Sequence, residues 1–355
     1  MAKTLIVRYS QIGDILILMP LIFSLGKQYP DDEFIVLTNP KFAGLFKQMP
    51  SNVSLYPMTY RKKKIPLRGL IHLFNRYLLL LKFSFSNRYD KVALLQNGTF
   101  EDQLQRLLSI RKSQIVKIDL KDFLSKEKFK DIFRLDAPSL FDLFVRTLSQ
   151  LGYTGLKNEF NLSFYTQNDR RNNLLKKYNI KTNKQLIGIA PFSRLKAKMY
   201  PLNNMEKVIQ YYHQRDDTEL LLLGGGPDEK FQADRWKEKY PGIVSLIGTL
   251  SFDEEITLIS ACNVVVSMDS ANMHLASFIG VPVISIWGPS HPKLGYYPVN
   301  QDINNAVQKE LICRPCSFWG ENSCINTTQY ECMDIAPEII IEKINTALNH
   351  SDNER

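Results

Sequence analysis

Residues 3–30 read KTLIVRYSQIGDILILMPLIFSLGKQYP. Leu5, Ile6 and Val7 form a short apolar run, Arg8 to Gln11 a polar turn, and the apolar stretch that follows is too long for one strand. A strand, a turn and a buried helix in that order, with a second strand in DEFIVLTNP (residues 32–40), predict a parallel βαβ unit. YDKVALLQNG (89–98) and SQIVKID (113–119) supply later strands. A second series starts with QLIGIAPFS (185–193) and continues through ELLLLGGGPDE (219–229), GIVSLIG (242–248), CNVVVSMDSANMHLASFIG (262–280) and VPVISIWGPS (281–290). The wholly apolar runs 220–223 and 264–266 fit parallel strands buried on both faces. The polar stretch 157–184 carries no strand signal and is the expected boundary, and residues 337–349 close the chain with a helix.

The expected fold class is therefore α/β, with two doubly wound Rossmann-like domains over residues 1–165 and 185–355, facing a central cleft. Ligands of such domains bind beyond the carboxyl ends of the strands. A chain of 355 residues has the length for two cores. With 44% hydrophobic and 23% charged residues it is neither disordered nor membrane-embedded. Residues 15–25, behind Lys3 and Arg8, imitate a signal peptide, but Asp14, Pro20 and the lack of a small-residue cleavage site favour a buried strand–loop–helix start. No apolar run reaches the ~20 residues that span a bilayer. Residues 70–85 read as an amphipathic helix, either packed on its own domain or laid on a membrane.

Charge is distributed unevenly. Residues 1–165 hold 25 Lys and Arg against 14 Asp and Glu, whereas the remainder holds 20 against 22. The whole positive excess sits in the first half, which implies a polyanionic partner there: nucleic acid, an anionic membrane or a phosphorylated glycolipid. The run Arg61, Lys62, Lys63 and Lys64, with Arg68, is the candidate contact, or else a solvated loop.

Five constellations can carry chemistry. Gly13 and Asp14 follow the first strand; Gly13 is expected to make the tight backbone turn, and Asp14 is either a first-turn carboxylate favouring the helix dipole or a general base at the cleft. The turn lacks GxGxxG, which argues against a dinucleotide dehydrogenase. APFSRLKAKMYP (190–201) places Ser193, Arg194, Lys196 and Lys198 between a strand end and a helix, as in diphosphate sites and also in plain basic loops. GGGPDE (224–229) is a tight turn or a place where a ligand meets backbone, with Glu229 able to accept from a ribose hydroxyl. In SMDSANMHLAS (267–277), Asp269 and Ser270 begin a helix whose first N–H groups, at Ala271 and Asn272, can bind an anion; His274 shares the face of Ser270. Cys313, Cys316, Cys324 and Cys332 fall within twenty residues and form either a thiolate site for zinc or iron or four reduced thiols.

These residues resemble glycosyltransferase family 9, the heptosyltransferase family of lipopolysaccharide inner-core synthesis. The resemblance runs in order from LIVRYSQIGDILILMP through KMYP, GGGPDE and DSANMHLA to WGPS. It implies the GT-B fold and an inverting transfer without metal chemistry, from a nucleotide sugar, ADP-heptose foremost, to an anionic glycolipid. It implies that Asp14 is the base and that Ser193 and Lys198 hold the donor phosphates. Glu229 would take the ribose, and Asp269, Ser270, Ala271 and His274 the second donor loop. Some members carry a metal-binding cysteine cluster. Tyr200 stands where members often have Trp, and Arg194 where a second hydroxyl is common. The implied location is the cytoplasm, with peripheral contact at the inner face of the cytoplasmic membrane. The rival readings are a sugar-nucleotide epimerase or hydrolase of the same fold, which needs no basic acceptor half, and a non-catalytic nucleotide- or nucleic-acid-binding protein.

Overall fold

The computed structural model describes residues 1–9, 11–58, 83, 88–110, 112–120, 138–320, 324 and 330–353, the last four by backbone only. The basic residues Arg61, Lys62, Lys63, Lys64 and Arg68, and the stretch 70–85 apart from Phe83, lie outside the described residues. The chain forms two compact units, one holding Met1–Asp122 and Leu140–Asn161, the other built chiefly from Leu162–Arg355.

In the first unit, strands β1 (Lys3–Val7), β2 (Glu33–Thr38), β3 (Val53–Pro57), β4 (Lys91–Leu94) and β5 (Gln114–Lys117) form a parallel sheet of order β3-β2-β1-β4-β5. Helices α1 (Ile12–Gln28), α2 (Thr99–Ser109) and α3 (Leu140–Ser149) accompany it. Residues Ile15 to Ile22 of α1 are all buried, which explains why this helix lacks a polar face. Pro20 does not stop it. The helix runs on through Pro20, and packing on both sides offsets the one missing backbone hydrogen bond. Phe83 is buried against Tyr56 and Tyr89.

The second unit begins with α4 (Ser163–Thr166) and α5 (Asn168–Lys177), which occupy most of the polar stretch read as a boundary. Arg170 donates to Thr257 Oγ1 at 3.1 Å and Lys177 pairs with Glu254 at 2.7 Å, so α5 is tied to α8 (Phe252–Ile259) of its own unit. Strands β6 (Gln185–Ala190), β7 (Thr218–Leu222), β8 (Val244–Ser245), β9 (Val264–Met268), β10 (Val283–Trp287) and β11 (Ala306–Gln308) form a parallel sheet of order β11-β10-β9-β6-β7-β8. Helices α6 (Leu202–His213), α7 (Pro227–Lys239), α9 (Ala271–Phe278) and α10 (Pro337–Asn353) complete the alternation. Every residue of β7, β9 and β10 is buried, as sheets covered on both faces require. Both sheets have a topological switch point, between β1 and β4 and between β6 and β9. Loops leaving those strands diverge there and open a crevice at their carboxyl ends.

Candidate functional site

At the first switch point, Gln11 takes the left-handed conformation (φ 66°) that turns β1 into α1. The turn expected at Gly13 is thus made by Gln11, and Gly13 lies inside the helix. Asp14, in the first helical turn, is only 3% exposed. Its carboxylate accepts from Arg8 Nη2, while Arg8 Nη1 donates to Leu95 O at 2.6 Å and the guanidinium sits 5.7 Å over the Phe144 ring. Gln96, just past β4, accepts from Tyr9 N at 2.8 Å and donates to buried Glu101. Asp14 therefore sits at the carboxyl end of β1, charge-paired and oriented by a residue of the same turn.

At the second switch point, the loop after β6 separates its three cations. Arg194 and Lys196 are exposed, whereas Lys198 is buried, ending the short 3₁₀ turn Lys196–Lys198. Ser193 Oγ accepts from Leu195 N at 3.4 Å. Lys198 Nζ lies 2.6 Å from Asp269 Oδ2, at the end of β9, and the same oxygen accepts from Ser290 Oγ at 2.5 Å, after β10. Three strand ends thus converge on one carboxylate oxygen. Ser270 is the N-cap residue of α9 and makes no side-chain cap. Its hydroxyl instead pairs with Ser267 Oγ at 3.2 Å, leaving the first-turn N–H groups of Ala271 and Asn272 at an end where helix dipole and open donors favour an anion. His274 is buried one turn further in.

Glu229 turns back on the glycine turn, Oε2 accepting from Gly225 N at 2.8 Å and Gly226 N at 3.3 Å, which caps α7. The carboxylate is half-buried at the carboxyl end of β7, beside the strand that carries Lys198.

Sequence reading missed four residues here. Ser290 and Arg8 carry no signal of their own, because only the fold brings them to Asp269 and Asp14. Arg314 is buried behind the β10 turn. Glu255, in the first turn of α8, has its carboxyl pushed up to about 7 by burial and by the nearby charge of Glu229. Because the folded chain then holds a proton that the unfolded chain releases near 4.5, stability from this group falls as pH rises between those values. Glu255→Gln should therefore raise the melting temperature at pH ~8 by a few degrees and leave it nearly unchanged at pH ~4, measurable by thermal denaturation at both.

Among the described residues no disulfide joins the cysteines. Burial, then the proximity of the other cysteines, pushes Cys316 up; Cys332 rises to about 11, with burial the largest cause and Cys316, Cys324 and Cys313 adding to it. Among the described residues no three His, Cys, Asp or Glu side chains are already drawn together as metal ligands. Cys262 lies in the turn before β9 and is core. No described helix is long and apolar enough to cross a membrane.

Two doubly wound parallel sheets, each with polar residues at its switch point, are the architecture of the GT-B fold of glycosyltransferases. The model of glycosyltransferase family 9 (heptosyltransferase) matches residues 115–320, and the chain belongs to that family. It is 25% identical over 285 residues to lipopolysaccharide heptosyltransferase 3 of Escherichia coli, covering 78% of this chain and 80% of that one. The structure of E. coli ADP-heptose lipopolysaccharide heptosyltransferase II superposes with a TM-score of 0.70 at 16% identity, covering 99% of each chain. An iron-containing dodecameric glycosyltransferase of enterotoxigenic E. coli shares the fold at a TM-score of 0.56 and 11% identity, covering 99% of this chain and 77% of that one.

Proposed function

We propose that the enzyme transfers heptose from ADP-heptose, with inversion, to a lipopolysaccharide core-type glycolipid. The observation that carries this reading is the convergence of Lys198, Asp269 and Ser290 from three strand ends at the β6/β9 switch point, beside the free N-terminus of α9. Asp14 takes the proton of the acceptor hydroxyl, whose oxygen attacks the anomeric carbon as the bond from that carbon to the β-phosphate oxygen breaks. Arg8 fixes the Asp14 carboxylate in place. Negative charge grows on the departing diphosphate, where Lys198, Ser193, Ser270 and the first N–H groups of α9 at Ala271 and Asn272 stabilise it. His274 supports that helix end, and Asp269 positions Lys198. Glu229 takes the ribose hydroxyls. One base suffices, because no covalent glycosyl-enzyme is formed.

The acceptor half carries the positive excess of residues 1–165. Arg61, Lys62, Lys63 and Lys64 meet phosphate or acidic sugars of the acceptor at the inner face of the cytoplasmic membrane. Competition calorimetry among ADP, UDP and GDP tests the donor assignment: ADP should bind most tightly, and a preference for UDP would move the reading toward a different nucleotide sugar.

Cys313, Cys316, Cys324 and Cys332 are further proposed to hold one zinc or iron ion. Four soft sulfur donors within twenty residues, with Cys316 and Cys332 pushed up by burial first and by the other cysteines second, suit such a cation, whose charge would favour the thiolates. The ion would cross-link the segment and take no part in the transfer. Elemental analysis should find about one ion per chain, lost in Cys316→Ser together with several degrees of melting temperature. A metal-free chain of full stability would leave four reduced thiols.

A further inference from the structure

The cysteine-bearing segment touches the donor cluster directly. Arg314, between Cys313 and Cys316, is 3% exposed and spends its whole guanidinium on the turn after β10 and its surroundings. Nε donates to Gly288 O at 2.5 Å, Nη2 to Ser290 O at 2.9 Å and to Gln308 Oε1 at 3.2 Å, and Nη1 to Lys309 O at 2.6 Å. Cys316 N and Ser317 N donate to Pro289 O at 3.0 and 3.2 Å. The Gly288–Ser290 turn is thereby held by four hydrogen bonds from one segment, and its Ser290 hydroxyl reaches Asp269. Further along, Gly320 (φ 80°) presses its bare Cα on the Lys198 stem: a Cβ there would stand 2.7 Å from Lys198 Cε and 2.9 Å from Cγ. Gly320 N is held in turn by Ser317 Oγ at 2.7 Å.

We propose that this segment is a positioning element of the donor site, with Arg314 as its principal residue. Arg314 sets the Ser290 hydroxyl on Asp269 and thereby places the partner of Lys198. Gly320 fixes the Lys198 stem from the other side. Neither residue touches the donor; both act through Lys198 and Asp269. A lysine cannot replace Arg314, because a point charge cannot serve carbonyls in four directions as a planar fork does. The inference rests on the reading that Lys198 and Asp269 hold the diphosphate.

The test is calorimetry with ADP on the full-length chain, run beside thermal denaturation and steady-state kinetics, for Gly320→Ala, Arg314→Lys, Ser290→Ala and Lys198→Ala. Gly320→Ala, whose added Cβ would meet the Lys198 stem first, should weaken ADP by about tenfold or more, the loss expected when one charge-assisted contact is misplaced. Arg314→Lys should raise the donor KM by more than it lowers kcat, and Ser290→Ala should shift ADP affinity in the same direction by a smaller factor. A merely structural segment would lower the melting temperature and leave ADP affinity of the folded variants unchanged, and that outcome overturns the proposal. Should Arg314→Lys fail to fold, Gly320→Ala and Ser290→Ala decide the matter. If Lys198→Ala weakens ADP while these variants do not, the positioning role fails and the donor reading stands. If Lys198→Ala itself binds ADP like the wild type, the donor reading fails.

Discussion

Asp14→Asn should bind ADP as tightly as the wild type while turnover falls by roughly 10²–10⁴-fold, the range for a lost general base. The substitution keeps the shape of the side chain and removes the group that accepts the proton. It also strands the buried Arg8 guanidinium, which pairs with Asp14 and, among the described residues, otherwise holds Leu95 O and the Phe144 face. Removing one partner of a buried pair destabilises by about 3–5 kcal/mol, so a lower melting temperature must accompany the loss of turnover. Arg8→Met in the Asp14→Asn background should recover part of that stability without any turnover. Separate ADP calorimetry, melting curves and single-turnover rates keep the two effects apart. Wild-type turnover in a folded Asn variant would remove Asp14 from the chemistry.

Lys198→Ala is expected to have the second largest effect, weakening ADP and slowing transfer together by about 10²-fold, because the cation meets the diphosphate before, during and after reaction. Asp269 amplifies the loss. In the wild type its carboxylate is 2.6 Å from the ammonium, so the pair approaches the donor nearly neutral. Without Lys198 an unpaired carboxylate remains beside the N-terminus of α9 and repels phosphate. Lys198→Ala with Asp269→Asn should therefore bind ADP more tightly than Lys198→Ala alone, as double-variant calorimetry would reveal. Equal affinity in the single and double variants would mean that Asp269 faces away from the donor.

The doubly wound character of both halves could be read from the sequence because its strands are local apolar runs that need no partner to be recognised. Leu5 to Val7 and Val264 to Val266 are examples, and both are fully buried. Single residues could be placed at strand ends where they follow such a run, as Asp269 does directly and Asp14 does after one turn. Ser290 and Arg314 were not, since their importance depends on which strands become neighbours: β10 beside β9 brings Ser290 to Asp269 across 21 residues. The three cations of the β6 loop looked alike in sequence, and only the short 3₁₀ turn distinguishes Lys198 from exposed Arg194 and Lys196. The turn assigned to Gly13 belongs to Gln11, because a glycine is the usual left-handed residue and nothing local marks a glutamine for that conformation. Arg8 read as one more N-terminal cation, although it is buried and paired with Asp14.

The most direct test of the central claim is the mass and anomeric configuration of the product when purified enzyme is given ADP-heptose and a glycolipid acceptor extracted from a heptose-deficient strain. The acceptor should gain the mass of one heptosyl residue, with the anomeric configuration inverted relative to the donor, and ADP should appear in equal amount. Release of ADP or free heptose with no change in acceptor mass, or conversion of the donor to an isomer, would contradict the assignment and return the enzyme to hydrolysis or epimerisation.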